Sequence, residues 1–308
     1  MSTSLPLVVG LGDVDDTIVA PVLSSHARWV SKPTEAELSV AVGAIVRAHV
    51  TVDTTMLDQM PHLRVLARTG VGTERVDVAE AARRSIPVVI TPGSNTYAVA
   101  EGAVAHLLSL TKSLPRLSAL VREGRWASRD RVTVGDLAGG TLAVLGYGRI
   151  GRRVSALAQA FGMTVLAYDP YVREADVPLA TTVEEAVREA THISIHLPGT
   201  PETRGLINTE LVSSLQPGTI LVNLARGEVV DHDALLAGLE SGHLGGVGLD
   251  VFAQEPPEHH PLFDHPQVVL TPHVMGLTTQ STRETFRQAA QGIVDVLSGL
   301  TPEHQAQP

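Results

Sequence analysis

The stretch Thr141-Leu-Ala-Val-Leu-Gly-Tyr-Gly-Arg-Ile-Gly151 decides the fold of this chain. Its first five residues form a short apolar run, which predicts a buried β-strand. Three glycines follow within six residues, and from Ile150 onward the apolar residues recur at helical spacing until Gly162. The pattern therefore predicts a strand, a glycine turn and a helix.

A second apolar run, Thr164–Tyr168, ends in Asp169, which lies 18 residues beyond Gly151. A strand at this position would be parallel to the first strand, and the two strands and their helix would form a βαβ unit. Asp169 is then expected at the tip of the second strand.

Each glycine of the turn has a physical task in binding a dinucleotide. Gly146 permits the tight turn, Gly148 lets the backbone approach a pyrophosphate, and Gly151 lets the helix pack close to the strand. The first N–H groups of the helix would bind the phosphates. Asp169 would accept hydrogen bonds from the adenosine ribose and repel a 2′-phosphate, so NAD is favoured over NADP; Arg173 follows closely and leaves NADP open.

Glycine turns of this kind also occur as plain strand–helix connections. Here the flanking strand, the helix and the acidic residue all fit a dinucleotide site, and we favour that interpretation.

Composition limits the function further. At 308 residues the chain is expected to form two domains. It has no cysteine, and none of its 13 histidines stands in an H-E-x-x-H motif, so we expect no metal site. The net charge of −10 argues against a nucleic-acid partner. No signal peptide and no apolar run of bilayer length is recognised, so we expect no membrane association and a cytoplasmic protein.

The rest of the chain alternates between apolar runs and helical or turn-rich segments, which predicts parallel sheets. In the first third the apolar runs are Leu5–Gly10, Ala41–Val46, Arg64–Ala67 and Pro87–Ile90, and Thr34–Leu38 and Asp77–Ser85 are helical or turn-rich. In the second half the strands are expected at Ile193–Leu197, Thr219–Leu224, Gly246–Asp250 and Gln267–Leu270. A helix is expected from Tyr97 to about Leu114 and another over Gln280–Leu300, while the polar segment up to Gly139 could be an arm that packs on a partner subunit.

Chemically useful side chains follow three of the later strands. They are Arg226, Glu255 and His273, and parallel strands bring such residues to one edge of the sheet. Hydride transfer to a 2-oxo acid needs a cation for the carboxylate and carbonyl, which suits Arg226. It also needs a proton donor, which suits His273, and a carboxylate that orients the imidazole and stabilises its charged form, which suits Glu255.

Each of these three residues also has a simple structural interpretation. An arginine after a strand is usually a surface residue, a glutamate before proline is usually solvated, and a histidine after proline is often a loop residue. Their joint position beside a dinucleotide unit favours the catalytic interpretation.

The chain resembles the D-isomer-specific 2-hydroxyacid dehydrogenase family over most of its length. The resemblance is carried by Ala67–Gly72, Asn95–Glu101, Gly146–Gly151, His196–Gly205, Gly218–Gly227, Leu249–Phe252 and Thr271–His273. It implies that Arg226, Glu255 and His273 are catalytic. It also implies cofactor contacts at Val71, Gly146, Gly148, Arg149, Ile150, Gly151, Asp169, Leu197, Ala225, Asp250 and Gly276, with Asp250 holding the nicotinamide carboxamide.

The family further implies an α/β fold of two doubly wound parallel-sheet domains. A Rossmann NAD-binding domain, residues 98–276, would be inserted into a flavodoxin-like substrate domain of residues 1–97 and 277–308. A homodimer formed largely through the NAD-binding domain is also implied. No regulatory domain is expected after His273, which makes a feedback-regulated biosynthetic enzyme less expected.

Within the family, the spacing of Arg47, Arg68 and Asn95 resembles the phosphoglycerate and hydroxypyruvate branch, which implies that these residues and the glycines Gly70 and Gly72 face the substrate. Both arginines could equally be surface residues. Thr73-Glu74 and Met275 depart from the usual family pattern. These departures leave the identity of the substrate open but do not change the expected reaction.

The expected function is therefore transfer of a hydride between NADH and a small 2-oxo or D-2-hydroxy acid of the hydroxypyruvate, glyoxylate or 3-phosphoglycerate type. The alternative is a binding protein of corepressor type that senses NAD without physiological turnover.

Overall fold

The computed structural model describes residues 5–307, and the chain divides into two units. The first unit is Met1–Asn95 with Thr278–Pro308, and the second is Thr96–Leu277, so the second unit is inserted into the first. The boundaries expected from the sequence, 97/98 and 276/277, lie two residues and one residue from these.

The first unit contains a five-stranded parallel sheet. Its strands are β1 (Leu7–Leu11), β2 (Arg28–Val30), β3 (Gly43–Val46), β4 (Val65–Arg68) and β5 (Val88–Val89). Its helices are α1 (Asp16–Leu23), α2 (Glu35–Leu38), α3 (Thr54–Asp58), α4 (Val78–Arg83) and, from the end of the chain, α11 (Thr279–Leu297). The strand order is β2-β1-β3-β4-β5, which is the flavodoxin-like order.

Both faces of this sheet are buried. Successive residues of β1 belong to different apolar clusters: Leu7 and Val9 pack with α3 and α4, and Val8 packs with α1 and α11. This alternation follows from the two-residue period of a strand. A sheet with helices on both faces is doubly wound, as predicted.

The second unit contains a seven-stranded parallel sheet. Its strands are β6 (Thr141–Leu145), β7 (Thr164–Tyr168), β8 (Leu179–Ala180), β9 (His192–Ile195), β10 (Thr219–Asn223), β11 (Leu244–Leu249) and β12 (Val268–Leu270). Its α-helices are α5 (Thr96–Thr111), α6 (Leu114–Arg122), α7 (Arg149–Ala160), α8 (Val183–Val187), α9 (Thr209–Ser213) and α10 (His232–Ser241). Helices α5 and α7 cover one face, and α8, α9 and α10 cover the other.

The strand order of this sheet is β12-β11-β10-β9-β6-β7-β8. The chain starts in the middle at β6, runs outward through β7 and β8, and then returns to β9 on the other side of β6. The order reverses between β6 and β9, which is where open α/β sheets bind ligands. The fold class is therefore confirmed as two doubly wound α/β units.

Two strands were not predicted from the sequence. β2 is three residues long and partly exposed, and β8 has two residues, so neither presents an apolar run. The polar segment before Gly139 contains α6 and a 3₁₀ helix, Trp126–Arg131. No helix within residues 5–307 is both long enough and apolar enough to span a bilayer.

Candidate active site

The glycine turn lies at the carboxyl end of β6, at the reversal point of the strand order. Gly146 has φ +99°, a conformation that L side chains rarely adopt, and a Cβ there would lie 2.6 Å from the carbonyl carbon of His196. A Cβ on Gly151 would lie 2.0 Å from the carbonyl oxygen of Gly146. Both positions therefore require glycine, one for the turn and one for the close packing of α7 on β6.

The middle glycine faces open space. A Cβ built on Gly148 meets no atom of the described chain within 4 Å. Gly148 is also the N-cap of α7, and no side chain caps that helix end. The backbone N–H groups at the start of α7 thus point to a place where a diphosphate fits, and the helix dipole favours negative charge there.

Asp169 follows β7 directly and braces the same turn. Its Oδ2 accepts a hydrogen bond from the backbone N–H of Tyr147 (2.9 Å), and its Oδ1 accepts one from Tyr171 (2.9 Å). Each carboxylate oxygen retains a lone pair, so Asp169 can still accept from a ribose hydroxyl. The side chain is half-buried and its position beside the turn fits the adenosine end of a dinucleotide.

Tyr147 ties this turn to the loop after β7. Its ring is fully buried, and its hydroxyl donates to Asp176, while the guanidinium of Arg152 stacks over the ring at 4.6 Å. Burial, and then the hydrogen bond to Asp176, raise the pKa of Tyr147 to about 12. The phenol therefore remains a neutral donor, which holds the Asp169 loop against the turn.

The other expected cofactor contacts of the second unit have varied environments. Arg149 is exposed, Ile150, Ala225 and Gly276 are half-buried, and Leu197 is buried. Asp250 is 2% exposed and hydrogen-bonded to the loop after β12, as described below. Val71 belongs to the first unit, where it is exposed.

His273 and Glu255, which are 18 residues apart in the chain, form a hydrogen-bonded pair. Nδ1 of His273 lies 2.7 Å from Oε2 of Glu255, and Oε1 of Glu255 accepts from the backbone N–H of Phe252 (3.1 Å). A carboxylate can only accept, so Nδ1 carries the proton. Nε2 is then the ring nitrogen that remains for a ligand.

The backbone of His273 is in an unusual conformation. Its φ is +53°, in the left-handed region that costs a non-glycine residue about 1 kcal/mol or more. The residues on either side are fixed by the buried carboxylate of Asp250. Oδ1 accepts from the hydroxyl of Thr271 (2.6 Å) and the N–H of Val274 (3.0 Å), and Oδ2 accepts from the N–H of Met275 (3.2 Å). These three bonds hold the loop in the strained shape that orients the imidazole.

Arg226 follows β10 on a loop that Asn223 fixes. The Asn223 side chain donates to the carbonyl oxygen of Arg226 (2.8 Å) and accepts from the N–H of Ala225 (3.0 Å). A Cβ on the next residue, Gly227, would lie 1.9 Å from the carbonyl carbon of Phe252. The Arg226 loop therefore packs directly on the loop that carries Glu255.

The five residues expected at the substrate, Arg47, Arg68, Gly70, Gly72 and Asn95, all belong to the first unit. Arg68 is only 7% exposed and donates to the carbonyl oxygens of Thr69 (2.7 Å) and Ala48 (3.5 Å). Gly70 has φ +136° and donates to the hydroxyl of Thr91 (2.9 Å). Gly72 and Asn95 are half-buried.

Arg47 lines a cavity of about 400 Å³ together with Lys32, Asp13 and Phe286. Its guanidinium stacks over the Phe286 ring at 5.2 Å, and its Nε is buried with no hydrogen-bond partner among residues 5–307. Burial lowers the pKa of Arg47, and the nearby Asp13 carboxylate opposes this. The lining of the cavity thus combines two cations, Arg47 and Lys32, with the carboxylates of Asp13, Asp15 and Asp16.

Sequence reasoning did not assign Tyr147, Asn223 or Thr271 to the site. Asn223 ends a buried strand, which is a signal that could have been used, because a polar side chain there needs partners. The roles of Tyr147 and Thr271 depend on contacts with residues far along the chain. Within the described residues no three His, Asp or Glu side chains are grouped as a metal would require.

The family of the chain follows from a match to a known family model. Residues 104–275 match the model described as "D-isomer specific 2-hydroxyacid dehydrogenase, NAD binding domain". This chain belongs to that family. The prediction from the sequence is confirmed, and with it the expectation that NAD is the cofactor of the second unit.

Curated relatives carry the name D-3-phosphoglycerate dehydrogenase. The protein from Mycobacterium tuberculosis is 39% identical over 305 residues, covering 96% of this chain and 58% of that protein. The Bacillus subtilis protein is 35% identical over 270 residues, covering 86% and 51%. The chain thus spans little more than half the length of these relatives.

Several solved structures are similar to this chain over nearly its full length. The TT0316 protein from Thermus thermophilus is 34% identical, with a TM-score of 0.87 over 98% of this chain and all of that one. D-lactate dehydrogenase from Aquifex aeolicus, complexed with NAD and lactic acid, is 29% identical, with a TM-score of 0.82 over 95% and 96%. An NADPH-dependent glyoxylate/hydroxypyruvate reductase from Sinorhizobium meliloti is 27% identical, with a TM-score of 0.88 over 98% and 97%.

Proposed function

We propose that this chain is an NAD-dependent oxidoreductase that interconverts a small 2-oxo acid and the D-2-hydroxy acid. The observation that carries the proposal is the His273–Glu255 pair. Its geometry directs one imidazole nitrogen to a carboxylate and leaves the other for a substrate, and the pair lies in the same unit as the glycine turn.

In this proposal His273 is the acid and base of the reaction. During reduction, the protonated imidazole donates its Nε2 proton to the oxygen of the substrate carbonyl, and in the reverse direction the neutral imidazole takes that proton back. Glu255 stabilises the imidazolium through Nδ1–H and fixes the ring. Asp250 holds the loop, so the ring need not be ordered at each turnover.

Arg226 holds the substrate in this scheme. A guanidinium is always charged and presents two parallel N–H donors, so it can bind the carboxylate and polarise the adjacent carbonyl. When bound, NADH supplies the hydride that is added to the carbonyl carbon of the substrate. The proton from His273 would complete the conversion of the carbonyl into a hydroxyl group.

The cofactor is held by the residues whose geometry fits it. Gly146, Gly148 and Gly151 form the turn for the pyrophosphate, and Asp169 accepts from the adenosine ribose. The carboxylate of Asp169 repels a 2′-phosphate, which favours NADH over NADPH. The Sinorhizobium relative is described as NADPH-dependent, so this preference is a property to be measured in this chain.

We also propose that the substrate carries a second polar or anionic group. Arg47 lines a cavity of about 400 Å³ together with Lys32, and in this proposal the two cations bind a phosphate or hydroxyl of the substrate. Substrates of the hydroxypyruvate or 3-phosphoglycerate type have such a group. The name of the mycobacterial and Bacillus relatives supports the same class.

A homodimer is proposed from the apolar surface of the second unit. Leu114, Val121, Trp126 and Val134 are all more than half exposed, and they lie on α6 and the segment after it. Burying large apolar side chains of this kind in a subunit interface is favourable. A cytoplasmic location and the absence of a nucleic-acid or metal partner stay predictions from the sequence.

The reaction is tested by following NADH oxidation with glyoxylate, pyruvate and hydroxypyruvate. His273→Asn is the informative variant, because asparagine tolerates the left-handed backbone of residue 273 better than alanine does. We expect kcat to fall by roughly 10²–10⁴ while the Kd for NADH, measured by fluorescence, changes little.

His259 provides a matched control. Its Nε2 lies 3.1 Å from Asp264, but both side chains are largely exposed. His259→Asn is expected to leave kcat unchanged. An unaltered protein that binds NADH but reduces none of the three acids would contradict the proposal and favour the NAD-sensing alternative.

A further inference from the structure

A buried histidine on α5 contacts the loop that carries His273. His106 is 3% exposed, and its Nε2 lies 3.2 Å from the hydroxyl oxygen of Thr271. Its other nitrogen, Nδ1, packs against Gly248 of β11 and has no hydrogen-bond partner among residues 5–307. This residue has no part in the scheme above.

The positions of the protons follow from the partners. The hydroxyl of Thr271 has one proton, and it donates that proton to Oδ1 of Asp250 at 2.6 Å. The oxygen of Thr271 can then only accept from His106, so Nε2 of His106 carries a proton and is the donor. Nδ1 keeps a lone pair, which is consistent with its apolar surroundings against Gly248.

A continuous chain of hydrogen bonds therefore runs from α5 to the active-site loop. The N–H of His106 fixes the Thr271 hydroxyl, which points its proton at Asp250, and Asp250 accepts from Val274 and Met275 on the far side of His273. Burial lowers the pKa of His106 although the Asp250 carboxylate opposes this. The ring is thus neutral near pH 7 and acts as a plain donor.

A second contact from the same helix face holds the other end of the loop. Gly102 lies four residues before His106, which places both on one side of α5. A Cβ on Gly102 would lie 2.7 Å from Cβ of Met275, so the missing side chain leaves the space that Met275 fills. Helix α5 therefore contacts the loop at Thr271 and at Met275, on both sides of His273.

We propose that His106 is a positioning residue for His273, acting through the hydroxyl of Thr271 and the carboxylate of Asp250. The proposal rests on the proposed function, because it assigns His273 as the proton donor. It adds that the strained loop conformation depends on a hydrogen bond from α5, and that an apolar side chain at position 106 would leave the Thr271 oxygen without its donor.

The test compares His106→Leu with His106→Gln. Leucine fills much of the space but donates nothing, while the amide of glutamine can place an N–H near the position of Nε2. We expect His106→Leu to lower kcat for 2-oxo acid reduction about 3- to 10-fold, the effect of one neutral hydrogen bond, with KM for NADH unchanged. His106→Gln is expected to recover most of kcat.

A matched control is available on the seven-stranded sheet that α5 covers. His192 is also buried, and its Nε2 lies 3.0 Å from the hydroxyl of Thr111 on α5, but it stands at the amino end of β9. His192→Leu removes the bonds of this ring to Thr111 and to the hydroxyl of Thr191 (2.8 Å), far from the active-site loop. It is expected to lower the unfolding temperature at least as much as His106→Leu and to leave kcat unchanged.

Hydrogen exchange gives a readout that does not need turnover. Because the N–H groups of Val274 and Met275 bond to Asp250, a loosened loop exchanges faster, and we expect the peptide spanning residues 270–277 to exchange several-fold faster in His106→Leu and normally in His192→Leu. Unchanged exchange and unchanged kcat in His106→Leu would overturn the proposal. If the unaltered protein has no turnover but the exchange responds as expected, the proposed function fails and the positioning of the loop by His106 stands.

Discussion

Replacing Glu255 by glutamine changes the hydrogen bonding of His273 while nearly preserving the size and shape of the side chain at position 255. Oε1 of Glu255 accepts from the N–H of Phe252, and Oε2 accepts from Nδ1–H of His273. Glutamine has only one acceptor oxygen. If that oxygen keeps the Phe252 bond, the amide NH₂ faces His273 and requires Nδ1 to be a lone-pair acceptor, so the variant stabilises the neutral imidazole with its proton on Nε2.

The size of the effect follows from the hydrogen bond that the imidazolium loses. A bond to a charged group contributes about 1.5–3 kcal/mol, and in this orientation the imidazolium Nδ1–H faces the amide NH₂ and keeps no bond to residue 255. The side chains of His273 and Glu255 are 53% and 35% exposed, and solvent screening reduces this contribution. We therefore expect kcat/KM for reduction near neutral pH to fall about three- to tenfold.

The two directions of the reaction are expected to respond differently. Reduction needs the protonated imidazole, whose Nδ1–H donates to Glu255 at 2.7 Å. We therefore expect Glu255→Gln to lower kcat/KM for reduction more than kcat/KM for oxidation of the hydroxy acid, which needs the neutral imidazole. Initial rates of NADH oxidation and of NAD⁺ reduction measure this, with Asp264→Asn, which alters the exposed His259 pair, as the control. Normal kcat/KM in both directions would refute the role of Glu255.

Two further changes test one residue of each unit. Asp169→Ala removes the acceptor for the adenosine ribose and is expected to lower kcat/KM for NADH about 10- to 100-fold, the effect of one charge-assisted bond. The kcat/KM for NADPH is expected to fall much less. Initial rates with each cofactor measure this, and an unchanged ratio of the two kcat/KM values would exclude this carboxylate from cofactor selection. Arg47→Ala is expected to raise KM for hydroxypyruvate more than KM for glyoxylate, which has no second group to bind; equal effects on both would mean that Arg47 only packs on Phe286.

The glycine turn could be predicted from the sequence because packing allows only one residue type at its key positions. Gly151 is such a position, since a Cβ there would overlap the carbonyl oxygen of Gly146 at 2.0 Å. The central strands could be predicted because both of their faces are buried, and so they appear as apolar runs. β2 could not be predicted, because Arg28–Val30 lies at the sheet edge and is partly exposed.

Only part of the candidate site could be predicted from the sequence, because some of its contacts join residues far apart in the chain. Glu255 and His273 could be found because the carboxyl ends of parallel strands meet at one edge, whatever their separation in the chain. The contact of His106 with Thr271 joins residues 165 positions apart, and a histidine within an apolar helix gives no sign of its partner. The left-handed backbone of His273 was equally hidden, since the bonds that hold its loop come from Asp250, which lies far from His273 in the chain.

The same construction recurs at three strand ends and accounts for the rigidity of the site. Asp169 after β7, Asn223 at the end of β10 and Asp250 after β11 each use a side chain to bond backbone groups of a neighbouring loop. A buried polar side chain at a strand end must find partners, and the nearest ones are the unpaired N–H and C=O groups of the loops. These bonds fix the backbone of the loops that carry Arg226 and His273.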